Sequence, residues 1–206
     1  MNYLILVILG LLSATLVCLY RDYVLARKIS LNKYLKNSKQ RLLFVGIALF
    51  LTIIMLFLNK EYNFMAAFFI YSLMFVILTA IALIDFLLKV IPDSLVIAGI
   101  MVGGIGAFIS PEVSWFDALS GMLLAGGIFL VLFIITKHSL GFGDVKLFVS
   151  LGLCLGLERV LSAMLLSIIL CALTGVVLMS INYSNKKKML PFAPFALVGT
   201  IIAVFL

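Results

Sequence analysis

An all-α, polytopic transmembrane bundle of about eight spans, with its N-terminus outside, is the fold class this chain predicts. Three observations carry that reading. Apolar residues make up 66% of the 206 and charged residues only 11%, more hydrocarbon than a soluble domain can hide from water. The apolar residues gather in runs that lack the period-2 alternation of barrel strands, and many exceed the roughly 18 residues a helical span requires. The gaps between runs differ in charge from one to the next, as loops on opposite sides of a membrane do.

The runs lie at about 3–20, 42–58, 64–86, 94–109, 117–136, 145–157, 160–181 and 189–206. The first is preceded by no basic region and followed by no small-residue cleavage site, so it is expected to persist as a span rather than leave as a signal peptide. The sixth is the shortest. As a helix it rises only about 20 Å, so it must be tilted, shielded by neighbours, or set where the bilayer is thin. The eight runs form one membrane domain over 1–206. Cys18, Cys154 and Cys171 lie inside runs, without Cys-x-x-Cys spacing or a nearby histidine, and read as small buried hydrophobes rather than metal ligands.

Threading the chain with its N-terminus outside puts thirteen of the fifteen basic residues in inner gaps: Arg21, Arg27, Lys28, Lys33, Lys36, Lys39, Arg41, Lys89, Lys137, Lys146 and Lys186 to Lys188. Lys60 and Arg159 fall outside, each beside an acid, with Glu112 and Asp117 in the remaining outer gap. A missing or extra span would mix the two sets downstream of the error. The interval 21–41 is expected to be a basic cytoplasmic loop in which Tyr23, Val24, Leu25, Ile29, Leu31, Tyr34 and Leu35 interleave the cations as in an interfacial amphipathic helix, read either as a solvated positive-inside loop or as a docking surface for a substrate's head group. Near an anionic leaflet each cation is worth about 1 kcal/mol. Lys186 to Lys188 read as a topology anchor, and His138 takes no role.

Two acids sit where carboxylates are expensive to keep. Asp85 ends the third run, and Asp144 opens the sixth behind the turn Gly141-Phe142-Gly143. The threading brings both to the inner face. Several readings are open: a structural ion pair, a proton relay, an ion ligand or a catalyst. Lys89, four residues after Asp85, has the spacing of a helical salt bridge, whereas Lys146 would face away from Asp144. Asp144 could also simply cap the sixth helix. If the acids meet, repulsion at about 4 Å with an effective dielectric of about 20 is about 4 kcal/mol, and one proton is then shared between them. The ionised member can take a proton from water while the protonated one polarises an amide carbonyl.

Glycines 141 and 143 permit unusual backbone angles and the close approach of a substrate backbone. An acid, rather than a basic or hydroxyl residue, follows them, which disfavours phosphate binding. Pro92, in Ile91-Pro92-Asp93, breaks the chain and preorganises the next helix, leaving Asp93 as a cap or rim residue.

These stretches resemble the type IV prepilin peptidases, the bacterial branch of the GxGD intramembrane aspartic proteases. Ala82-Leu83-Ile84-Asp85 with Ile91-Pro92-Asp93-Ser94-Leu95 is similar to the family's first catalytic segment, and Gly141-Phe142-Gly143-Asp144-Val145-Lys146-Leu147 to its second. Leu190 to Leu197, with Pro191 and Pro194, resembles its C-terminal Pro-Phe-Gly-Pro-Phe element, with Ala193 where glycine is usual. The three occur in family order.

The resemblance implies an aspartic endopeptidase of the bacterial cytoplasmic membrane, with Asp85 and Asp144 as its catalytic pair and no metal or cofactor needed. It implies substrates of the prepilin or pseudopilin type, cut at the cytoplasmic face between a short basic leader and a hydrophobic helix. Membrane lipids, chiefly of the anionic inner leaflet, are expected partners, and nucleic acid is not. Many members also N-methylate the product and carry paired Cys-x-x-Cys motifs in a longer first inner loop; 21–41 is short and without cysteine, so the cysteine-rich methyltransferase-type insert is expected to be absent and methyl transfer is not expected. The rival class is a small proton-coupled transporter or channel using the acids as a relay, though a relay would more naturally stagger them through the bilayer.

Overall fold

A computed structural model describes residues 2–28, 38–63, 65–136, 141–181 and 190–206. Among these residues the chain is helical throughout, in seven elements: α1 (Asn2–Lys28), α2 (Ser38–Tyr62), α3 (Ala66–Leu88), α4 (Asp93–Ile109), α5 (Trp115–Ile135), α6 (Phe142–Ile181) and α7 (Ala193–Phe205). Helices α1, α2, α3, α5 and α6 are long and apolar enough to cross a membrane, and α4 and α7 are shorter apolar helices. Phe108, Phe116 and Ile181 are largely exposed, as side chains facing lipid are. The expected polytopic helical bundle is the fold observed.

Two boundaries differ from expectation. Helix α1 runs through Lys28 rather than stopping near residue 20, and α2 already begins at Ser38, so both ends of the interval 21–41 are helical. Charge does not end α1 because Arg21 is neutralised on the spot: its Nε and guanidinium nitrogen donate to Asp22 Oδ1 at 2.8 and 2.6 Å. Arg21 is buried together with Leu25, one turn on along the same face. The other expectations for residues 29–37, together with Lys137, His138 and Lys186 to Lys188, lie outside the described residues.

The second difference is in α6, which covers both the sixth and seventh expected spans. It breaks at Gly156, where φ is 75° and ψ −179°, a conformation essentially reserved for glycine. The break reverses the chain. Cys171 lies within electrostatic reach of Asp144, whereas a continuous helix would set the two about 40 Å apart. The halves 142–155 and 157–181 therefore run back alongside one another, and the two expected runs share one element. The first half is the short expected span, and neighbours shield it: Val145, Leu147, Phe148, Leu151 and Leu155 are all buried.

Contacts group the chain into two compact units, Met1–Ala80 and Ile81–Leu206, with the division inside α3. In the first, α1 meets α2 at Gly10, where a Cβ would strike the Thr52 side chain. In the second, α4, α5 and α7 all approach the backbone of α6. A Cβ on Gly121 would lie 2.8 Å from the Gly152 carbonyl oxygen, one on Gly199 2.6 Å from that of Ala163, and one on Gly103 2.9 Å from the Cys154 nitrogen. Such small-residue crossings let membrane helices pack backbone to backbone, where burial of hydrocarbon offers no driving force.

Candidate active site

Asp85 lies in the last turn of α3 and Asp144 in the first turn of α6. Both are buried, at 6% and 8% exposure, and Asp85 is close enough for its charge to act on Asp144. The second unit thus brings together two acids 59 positions apart in the chain.

Each acid is held by backbone. The α7 N-terminus points at Asp85: Ala193 N–H donates to Asp85 Oδ2 at 2.9 Å, and the Phe192 backbone donates to the same carboxyl. These are unfilled donors of a helix start, which favour a carboxylate there. Phe192 anchors this contact. Its ring packs 5.7 Å from Phe129 and 5.9 Å from Phe148, and those two rings stack at 4.2 Å with 9° between planes. Pro191 and Pro194 bracket the segment, and Pro194 stands in the first turn of α7, where its missing N–H costs nothing.

Around Asp144 the turn is tight. The Asp144 N–H donates to the Gly141 carbonyl at 3.0 Å, while the Gly141 backbone donates to the Asp144 carboxyl. A Cβ at Gly141 would lie 3.2 Å from Asp144 Oδ2, and one at Gly143 would lie 3.0 Å from Ile91 Cβ. Asp144 is thus not the cap of α6 but its third residue, and its carboxyl reaches back to the Gly141 N–H ahead of the helix. The carboxyl is also buried within reach of another acid's charge, which that bond alone does not require.

The salt bridge foreseen between Asp85 and Lys89 does not form among the described residues. Lys89 stands just past the end of α3 in the left-handed region, at φ 54°, and its N–H closes the helix onto the Asp85 carbonyl at 2.8 Å. The helical spacing that would have paired the side chains is lost there. Lys146 finds a different partner: its Nζ bonds Asp93 Oδ1 at 2.8 Å and sits 5.3 Å from the Phe142 ring centroid. Asp93 is a rim residue and no cap, since the N-cap of α4 is Pro92, which has no side chain able to cap. Sequence reasoning missed the Asp93–Lys146 tie and the Ala193 donor. Both join residues too far apart for any local spacing to signal.

The profile of the type IV leader peptidase family matches residues 72–176, half of the chain, including both acids and the Gly-x-Gly turn. The chain belongs to that family. It is 34% identical over 128 residues to a prepilin leader peptidase/N-methyltransferase of Bacillus subtilis, covering 62% of this chain and 51% of the relative. Proteins of the same description from Legionella pneumophila and Pseudomonas aeruginosa are 32% and 30% identical, over 63% and 62% of this chain and 47% and 46% of their own. The chain spans about half the length of the curated relatives it matches. No solved structure matches it. The Pro191–Pro194 segment falls outside the family match, and its tie to the site is the hydrogen bond to Asp85.

Proposed function

We propose that the protein is a membrane-embedded aspartic endopeptidase that removes the short basic leader from prepilin-like or pseudopilin substrates, with Asp85 and Asp144 as the catalytic pair. The observation that carries this reading is a pair of buried acids within electrostatic reach of one another in a chain of the type IV leader peptidase family. Two buried carboxyls within electrostatic reach of one another disfavour joint ionisation, so one can serve as a base while the other serves as an acid. Asp85, facing two backbone N–H donors at a helix start, is suited to hold negative charge and take a proton from water. Asp144, protonated, polarises the scissile carbonyl. Water adds to the carbonyl carbon, the proton is passed to the leaving amine nitrogen, and the C–N bond breaks.

The positive-inside distribution supports placing the site at the cytoplasmic face of the bacterial plasma membrane, with Gly141, Gly143 and Pro92 shaping the turns that carry the acids. Peptide hydrolysis without methyl transfer is the activity proposed, because the interval between α1 and α2 holds no cysteine. The transporter reading is less favoured, since both acids sit at one end of their helices rather than along a path.

Asp85→Asn and Asp144→Asn should each lower leader cleavage of a co-expressed prepilin by at least 1,000-fold, on the order of removing a catalytic group, while insertion and folding persist. Either variant cleaving at a tenth of the normal rate or better would refute the pair. The wild-type rate should fall on both sides of a pH maximum, as two coupled carboxyls require.

A further inference from the structure

Val96, Ile97 and Ile100 of α4 and Val145 and Val149 of α6 line a cavity of about 380 Å³, with Phe142 at one end. Its rim carries one charge of each sign, Asp93 and Lys146, paired at 2.8 Å with the Asp93 side chain 67% exposed and that of Lys146 38%. From Asp93 the apolar floor follows α4 for about 10 Å to Ile100. Ile97 is 57% exposed and heads a stripe with Met101, Ile105 and Phe108, all exposed, at the spacing of one helix face. The groove therefore opens onto an apolar face of the kind a bilayer covers. Neither Asp85 nor Asp144 lines it, and the reaction proposed above makes no use of it.

We infer that this groove binds a phospholipid with a primary-amine, zwitterionic head group of the phosphoethanolamine class. Its phosphate meets Lys146, its ammonium meets Asp93, and the start of one acyl chain lies along Val96, Ile97 and Ile100. Rim and floor together select that occupant. A charged pair at one end of a short apolar groove matches the junction between a lipid's head group and its chain. The pair is neutral overall, and the head group offers one charge of each sign. An exposed ion pair worth about 0–1 kcal/mol is thus exchanged for two charge-assisted contacts. A head group that is only anionic would bring a second negative charge beside Asp93, and a quaternary ammonium has no N–H to donate to the carboxylate. The Phe142 ring, centred 5.3 Å from Lys146 Nζ, holds that ammonium at the rim while Asp93 changes partner. The site does not depend on peptide hydrolysis and stands whatever reaction Asp85 and Asp144 serve.

The test uses the full chain in phosphatidylcholine bilayers doped with a probe phospholipid that carries a diazirine near the carbonyl end of one acyl chain, its head group being ethanolamine, choline or glycerol. After photolysis, peptide mapping should place the ethanolamine probe on α4 between Val96 and Ile100 or on α6 between Val145 and Val149, at least fivefold above the other two. Asp93→Asn should bring the ethanolamine yield down to the choline level and raise the glycerol yield, whereas Lys146→Gln should lower the ethanolamine and glycerol yields together. Equal yields for the three head groups, a glycerol probe that labels the wild-type chain best, or an ethanolamine yield unmoved by either rim variant would each overturn the inference. If a rim variant fails to fold, Ile100→Trp fills the groove with both charges in place and should cut ethanolamine labelling between Val145 and Val149 at least fivefold. Labelling that persists there rejects the groove as the site.

Discussion

Asp117 and Gly156 together make the reversal in α6. The Ser114 side chain caps α5 by accepting from the Asp117 N–H at 3.2 Å, which fixes Asp117 in the first turn. Its Oδ1 then accepts from the Leu157 N–H at 3.0 Å, the donor that the break leaves without a helical partner. A Cβ at Gly156 would strike the Asp117 carboxylate, so the glycine is required by space as well as by its positive φ. Gly156→Ala should destabilise the protein by about 1–3 kcal/mol from backbone strain alone. Asp117→Ala, which strands the Leu157 N–H, should cost about 1–3 kcal/mol, and Asp117→Asn less because an oxygen acceptor remains. Unfolding midpoints in detergent would read this order, and an unchanged midpoint for Asp117→Ala would show that the capping bond contributes nothing. In the sequence Asp117 reads only as an acid of an outer gap, because its partner is 40 positions away and is a backbone group.

At the scale of elements, α7 is the piece whose purpose is hardest to see from composition. It is a 13-residue apolar helix, too short to span a bilayer of ordinary thickness upright, yet its first N–H reaches Asp85. The stack of Phe129, Phe148 and Phe192 draws on α5, α6 and the head of α7, and sets where that N–H points. Phe192→Ala should lower kcat at least tenfold, with a loss of about 3–5 kcal/mol in stability, and Phe192→Leu should recover most of both. A kcat unchanged in Phe192→Ala would mean the Ala193 contact does not position Asp85. The spans themselves were legible because hydrocarbon runs and charge gaps act locally, and so was the location of both acids at helix ends. The donors to those acids were not, nor was the Asp93–Lys146 tie, because each depends on which helices pack together. Lys89 shows the converse hazard: helical spacing suggested a pair with Asp85, and the helix ended before the spacing could apply.

Across the second unit, the two ends of the first half of α6 differ in character. Asp144 stands at one end, near exposed Lys89 and the Lys146–Asp93 pair. About 20 Å along the helix lies the Gly156 turn, where Arg159 approaches Glu112 at 4.0 Å and Asp117 caps Leu157. The cation-rich end belongs in the cytoplasm if the positive-inside bias holds, and the catalytic proposal requires that end to face the compartment where leaders are exposed. The two ideas can therefore be separated experimentally. In a chain with Cys18, Cys154 and Cys171 replaced by alanine, Lys89→Cys and Phe116→Cys place single thiols at exposed positions, one just past α3 and one in α5. A membrane-impermeant maleimide added to intact spheroplasts should label position 116 at once and position 89 only after lysis. The reverse pattern would place both acids on the outer side and remove the topological support for leader cleavage, even if Asp85 and Asp144 proved essential for some other reaction.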